Sequence, residues 1–189
     1  EDDSANYFNY RYVYNSGGAA TGDLDNDGLP EVIFTSGRNG GALYHNKGDL
    51  KFVDVTTTSG FDLKGLWAQG VCLVDANVDG LLDIYVCASG PAFFPKSYRK
   101  NRLYINKGDL KFVDEASERG VADEGHHTSA SFADLDGDGD LDLFLLAHRV
   151  DFKNLNTVIT DPRFVPVPDQ SDRLYLNDGT GHFTEHSKE

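Results

Sequence analysis

One segment of this chain occurs three times, and that repetition limits the fold more than any other feature. The run Leu43-Tyr44-His45-Asn46-Lys47-Gly48-Asp49-Leu50-Lys51-Phe52-Val53-Asp54 returns 60 residues later as Leu103-Tyr104-Ile105-Asn106-Lys107-Gly108-Asp109-Leu110-Lys111-Phe112-Val113-Asp114. A looser third copy, Leu174-Tyr175-Leu176-Asn177-Asp178-Gly179-Thr180-Gly181-His182-Phe183, follows after a further 71 because extra residues lie between Arg149 and Asp172. Each copy is preceded by an acidic loop and by a short apolar run, Val32-Ile33-Phe34, Ile84-Tyr85-Val86 or Leu143-Phe144-Leu145. Such runs suit strands covered on both faces.

One unit therefore reads as four antiparallel strands. The first enters the acidic loop at Ala19 to Asp23, the second leaves it at Val32 to Ser36, and two more are joined by an Asn-Lys-Gly-Asp turn. The Asn and Gly of that turn are expected at positive φ. A lone sheet with two apolar faces must stack on copies of itself, so the expected fold is all-β: three four-stranded antiparallel blades of a β-propeller, at about 12–56, 69–114 and 128–186. Helix signals are weak, and only Glu115 to Arg119 suggests a short turn.

The acidic loops carry the chemistry. They read Asp23-Leu24-Asp25-Asn26-Asp27-Gly28-Leu29-Pro30-Glu31, Asp75-Ala76-Asn77-Val78-Asp79-Gly80-Leu81-Leu82-Asp83 and Asp134-Leu135-Asp136-Gly137-Asp138-Gly139-Asp140-Leu141-Asp142. Carboxylates or amides stand at positions 1, 3, 5 and 9, with Gly at 6. Oxygen donors so spaced can wrap one hard cation, with the position-7 carbonyl (Leu29, Leu81 or Asp140) as a further ligand, and calcium fits best. Asp, Asn and Gly also favour turns, but a turn needs only one or two of them and the pattern holds in three copies. An EF-hand would need a Glu at position 12, where this chain has Phe34, Val86 and Leu145. Zinc would call for His or Cys, and the loops contain neither. Three calcium ions are expected, one per loop.

These loops, with the Asn-Gly hairpins and the Phe52, Phe112 and Phe183 that follow them, resemble the FG-GAP or VCBS repeat propellers. That group is related to the integrin α-subunit propellers and to a bacterial secreted branch of the cartilage-acidic-protein type. The likeness runs from about Tyr12 to Glu185. It implies that each D-x-[DN]-x-[DN]-G-x-x-[DE] loop joins the first two strands of a blade and binds calcium through the positions named above.

The 189 residues allow one domain, or at most two small ones. With 31 acids against 17 bases the formal charge is -14, which opposes any electrostatic grip on nucleic acid or anionic lipid. No apolar stretch approaches the roughly 20 residues of a membrane span, so no membrane insertion is expected. The chain has no methionine and begins at Glu1 without a basic-then-apolar leader, which reads as a mature or excised product of a secreted or cell-surface protein. Propellers close with about four to eight blades, so three imply either a piece of a longer chain or self-association. Cys72 and Cys87 should lie nearly opposite each other on the strands flanking the second loop; they are read as two buried thiols in preference to a disulfide.

The end of the blades away from the acidic loops collects Phe93, Phe94, Tyr98, Arg99 and Lys100, the Arg149 to Asp172 insertion, and Trp67, His126 and His127. Aromatic and basic residues on such loops suit a protein or glycan partner, or else pack the insertions onto the blades. His126 and His127 read as structural rather than as ligands or a general base. No nucleophile, zinc-protease or phosphate-loop motif is present. The expected function is an extracellular calcium-binding module for adhesion, protein-protein interaction or assembly, without enzymatic activity. The alternative is the propeller of a secreted polysaccharide-binding or polysaccharide-processing enzyme.

Overall fold

A computed structural model describes residues 10–15, 17–38, 40–150 and 167–187. Among them are three four-stranded antiparallel sheets, each a meander in chain order. The first holds β1 (Gly18–Gly22), β2 (Glu31–Ser36), β3 (Gly40–Asn46) and β4 (Phe52–Asp54). The second holds β5 (Ala68–Val74), β6 (Asp83–Ala88), β7 (Arg102–Asn106) and β8 (Phe112–Asp114). The third holds β9 (His127–Ala133), β10 (Asp142–Ala147), β11 (Arg173–Asn177) and β12 (Phe183–Glu185). These are three consecutive propeller blades. The first strands line up side by side, β1 against β5 and β5 against β9. A Cβ on Gly70 would lie 2.5 Å from the carbonyl oxygen of Thr128, so only glycine permits that approach of β5 to β9.

The alternation of β6 shows how the stack is held. Every residue of this strand is buried. Ile84 and Val86 join Ile33, Leu43 and Phe61 in a core shared with the first blade. Tyr85 and Cys87 face the other way, into a core shared with Leu143, Leu145 and Tyr175 of the third. A period of two sends successive side chains to opposite faces, so a strand between two blades must be apolar throughout. In the outer blades one of these faces has no neighbouring blade among the described residues: Phe34 is 47% exposed on β2, and Phe144 and Leu146 are 40% and 48% exposed on β10.

Three local expectations need correction. The hairpin asparagines do not take positive φ; Gly48, Asp49 and Leu50 do, as do Gly108, Asp109 and Leu110. Asn46 and Asn106 instead end their strands and accept the Gly48 and Gly108 N–H groups at 3.0 and 2.9 Å. The short turn expected at 115–119 forms, closed by the Arg119 N–H on the Glu115 carbonyl at 2.9 Å, but it is not the only one, because Thr56–Ser59 makes an α-helical turn, α1. The blade expected from residue 12 has its first strand at Gly18, because Arg11–Tyr14 is a 3-10 turn.

The two cysteines are free. Cys72 is opposite Tyr85 rather than Cys87, and it is half-buried rather than buried. Burial pushes its thiol up to about 12. No helix among the described residues is long and apolar enough to cross a membrane.

Candidate metal centres in the acidic loops

All three loops share one backbone shape. Position 4 is left-handed whether it is Asn26 (φ 59°), Val78 (φ 59°) or Gly137 (φ 84°), and position 6 is left-handed at Gly28, Gly80 and Gly139. A β-branched residue such as Val78 avoids this region, so the loop conformation is imposed by more than local preference. The position-1 carboxylate helps to impose it. Asp23 accepts the N–H of Asp27 at 3.1 Å and of Gly28 at 2.9 Å, and Asp75 accepts those of Asp79 and Gly80 at 3.0 and 2.9 Å. Asp134 accepts Gly137 and Gly139 at 2.7 and 3.2 Å. Position 5 accepts the position-7 N–H: Leu29 on Asp27 at 2.8 Å, Leu81 on Asp79 at 2.9 Å, Asp140 on Asp138 at 3.1 Å.

Position 9 has a role that the sequence pattern did not reveal. Glu31, Asp83 and Asp142 are fully buried. One oxygen of each accepts the position-2 N–H, from Leu24 at 2.9 Å, Ala76 at 3.1 Å and Leu135 at 2.8 Å. The other accepts the N–H of the hairpin asparagine, Asn46 at 3.2 Å, Asn106 at 2.8 Å and Asn177 at 3.0 Å. Each position-9 carboxylate thus clips the start of its loop to the third strand. Burial outweighs the two N–H donors at Asp83 and raises its carboxyl to about 6.

The donor set fits a hard cation. Ligand oxygens of Asp23, Asp25 and Glu31 all lie within 4.8 Å of one another, and so do those of Asp134, Asp136 and Asp142. These are positions 1, 3 and 9 in both loops. Oδ1 of Asp25 and Oδ1 of Asp140 are buried and accept no hydrogen bond. Burial raises the Asp25 carboxyl, helped by Glu31 and Asp27, and it raises that of Asp140, helped by Asp138, Asp142 and Asp136. A cation would relieve these charges, since each carboxylate oxygen keeps a lone pair beyond its N–H partner. The second loop has one carboxylate fewer in the set, and Asn77 spends its amide on Asp79, donating to Oδ2 at 2.9 Å and accepting the N–H at 3.3 Å.

The first loop has a member that its own sequence lacks. His45 stands on β3 where the other blades carry Ile105 and Leu176. It is 9% exposed, with Nδ1 3.0 Å from Oε1 of Glu31 and 3.6 Å from Oδ2 of Asp25. The exclusion of nitrogen ligands thus holds for the loop residues but not for the folded site.

At the opposite end, Trp67, Arg99, His126 and His127 are 4%, 3%, 1% and 0% exposed, so four of the eight residues named for that end are buried. Trp67 packs edge-on against Tyr10 and Phe94, with ring centroids 5.3 and 6.1 Å away. Arg99 bonds His126 and lies 3.9 Å from Asp169. Ser89 Oγ sits 3.5 Å from Nδ1 of His126 and 3.4 Å from Nε2 of His148. Asn101 donates to Nδ1 of His127 at 3.2 Å. Phe93 is exposed, while Phe94, Tyr98 and Lys100 are half-buried. Residues 151–166 of the insertion lie outside the described residues.

A family model described as an FG-GAP-like repeat matches residues 23–86 and 91–145, taking in all three acidic loops. The chain belongs to the FG-GAP-like repeat family. It is 35% identical over 124 residues to human cartilage acidic protein 1, covering 62% of this chain and 17% of that protein. It is 33% identical over 138 residues to cartilage acidic protein 1 of Xenopus tropicalis, covering 70% of this chain and 20% of the relative. The chain therefore spans about a fifth of these relatives' length. Among solved structures, one reported for recognition of non-reducing terminal N-acetylglucosamine by an Agrocybe aegerita lectin aligns with a TM-score of 0.45 at 20% identity. That alignment covers 90% of this chain and 37% of the lectin chain.

Proposed function

We propose that these blades are a calcium-stabilised module of a secreted or cell-surface protein, acting in adhesion or assembly and not as an enzyme. The observation that carries this reading is the convergence of positions 1, 3 and 9 in loops of one shape: Asp23, Asp25 and Glu31, then Asp134, Asp136 and Asp142. In the second loop Asp75, Asn77 and Asp83 would hold the ion. Calcium would supply charge neutralisation and would cross-link the first two strands of a blade to its third through the position-9 carboxylate. The protein's net charge of -14 and its likeness to proteins named for cartilage and acidity support an extracellular setting. A protein or glycan partner would be met at the far end, where Phe93 is 53% exposed.

Calorimetric titration of the chelator-treated chain with calcium tests the reading. Three ions are expected, bound most tightly by the third loop and least tightly by the second, with dissociation constants around 10⁻⁴ to 10⁻³ M as in extracellular modules. Absence of heat from a folded sample would overturn it.

A further inference from the structure

We infer that Tyr10 and the turn after it, Arg11–Tyr14, form an acid-released strap, docked over Trp67 at neutral pH by a buried cluster of Ser89, Arg99, His126 and His148. Protons taken up by the two histidines undo the cluster, and the strap lifts to uncover Trp67 and Phe94. The device lies at the end away from the acidic loops and does not depend on what those loops hold.

The strap is bound by packing and not by a strand ladder. Arg11–Tyr14 is a 3-10 turn that belongs to none of the three sheets. Two backbone bonds close it on itself, from the Val13 N–H to the Tyr10 carbonyl at 3.1 Å and from the Asn15 N–H to that of Tyr12 at 3.0 Å. Tyr10 is 1% exposed and forms an apolar cluster with Trp67 and Val150, separate from the two cores between blades and joined by Tyr12, Val13 and Phe94. Its hydroxyl is 3.4 Å from Oγ of Ser89, the oxygen that also faces Nδ1 of His126 and Nε2 of His148. The Tyr12 ring lies against that of His148, with centroids 4.2 Å apart. Tyr10 and Tyr12 thus both rest on the histidine cluster.

These contacts require neutral imidazoles. A guanidinium donates and never accepts, so Nε2 of His126, bonded to Arg99, carries a lone pair. Nδ1 of His126 then bears the proton and turns it to Ser89, whose own proton has Nε2 of His148 as acceptor. A proton at either Nε2 removes an acceptor, and at His126 it also sets an imidazolium against the buried Arg99. The charged and titratable groups around the pair give little relief. Asp169 is 3.9 Å from Arg99 and is shared with Lys96 at 3.1 Å, while His127 is engaged with Asn101 at 3.2 Å and with Asp123 at 3.7 Å. Burial, with Arg99 beside it, holds His126 down to about 3, and burial with His127 nearby holds His148 down to about 4. Once water reaches the rings their values return toward about 6.5. From there down to the docked values the released form binds more protons, so acid favours release, by up to about a hundredfold per pH unit for two protons.

Trp67 is the single tryptophan of the chain, so its emission follows the strap. The test records that emission and its quenching by acrylamide on the whole chain as the pH is lowered, with calcium present throughout and far-UV circular dichroism tracking the sheets. Emission should move to the red and quenching should rise several-fold between about pH 6.5 and 4, with a slope above one proton and an unchanged sheet signal. Tyr10→Ala should be red-shifted already at neutral pH. The double variant His126→Gln with His148→Gln, which keeps amide acceptors but takes up no proton, should lose the transition. Emission that stays constant in the unmutated chain, a change that coincides with loss of the sheet signal, a Tyr10→Ala spectrum unchanged at neutral pH, or the same transition in the double variant overturns the inference. If the double variant is exposed already at neutral pH, the slope in the unmutated chain decides: above one proton supports the strap, one or less overturns it.

Discussion

Asn106, at the end of the second blade's third strand, donates its side-chain amide to the carbonyl of Leu24 in the first blade's acidic loop, at 2.8 Å. The same amide also reaches Leu82 in its own blade at 3.0 Å. One blade on, Asn177 repeats both bonds, to Ala76 of the second blade's loop at 3.2 Å and to Leu141 of its own at 3.1 Å. Each hairpin asparagine is thus a latch between its own blade and the position-2 carbonyl of the loop before it. Asn46 has no preceding blade among the described residues, and its amide reaches only Pro30, at 3.0 Å.

The latch sets a difference between equivalent residues. Asn106→Ala removes two donated bonds and the one accepted from Gly108, and strands the Leu24 and Leu82 carbonyls, so it should cost about 2–3 kcal/mol. Asn46→Ala removes one donated bond and the one accepted from Gly48 at a less enclosed place, and should cost about 1 kcal/mol less. Urea unfolding of both variants measures the difference, and equal costs would show that the inter-blade bond adds nothing.

Charge count should tune the second loop. Asn77→Asp gives it the three carboxylates of the other two, so calcium should bind there more tightly and the metal-free protein should melt lower, because like charges then face one another. Melting curves with calcium and with chelator should move further apart in this variant than in the unmutated chain. Coincident curves in both would mean that the loops are stable turns without metal.

The open faces of the outer blades should drive association. Phe34, Phe144 and Leu146 occupy positions that the middle blade buries against a neighbour, and exposed apolar faces of stacked repeats need a cap. The isolated chain should therefore associate in light scattering, and Phe144→Lys with Leu146→Lys should reduce this with little change in stability. In contrast, Tyr85→Ala in the middle blade should cost about 3–5 kcal/mol, since it empties a fully buried site.

Acid should loosen the end away from the loops. Burial, with Arg99 and His148 nearby, holds His126 down to about 3, and burial with His127 nearby holds His148 down to about 4. The groups facing them are Arg99, Asp169, Ser89, His127 and Tyr12. Unfolded histidines titrate near 6.5, so between that pH and the folded values the unfolded chain binds more protons and stability falls as pH drops. The slope approaches about 1.4 kcal/mol per pH unit for each histidine. Melting temperatures from pH 7 to 5 should fall less steeply in His126→Gln and His148→Gln than in the unmutated chain.

The repeat by itself determined the three blades, their four-strand meanders, and the positions that could hold a cation. Those properties follow from local rules, namely the two-residue period of a strand, the turn chemistry of Gly and the spacing of oxygen donors along one loop. Only the tertiary structure decided how Glu31, Asp83 and Asp142 are used, because each clips two segments whose separation along the chain hides their contact. The same holds for Asn106 and Leu24, 82 residues apart. Far-end residues such as Trp67 and Arg99 look in sequence like a binding surface, yet burial depends on what folds over them, and there the chain supplies Tyr10 and Phe94 against Trp67 and His126 against Arg99. His45 reads as an ordinary strand residue until the sheet forms. It reaches the first acidic loop because β2 pairs with β3, which places the end of the third strand beside Glu31 at the start of the second.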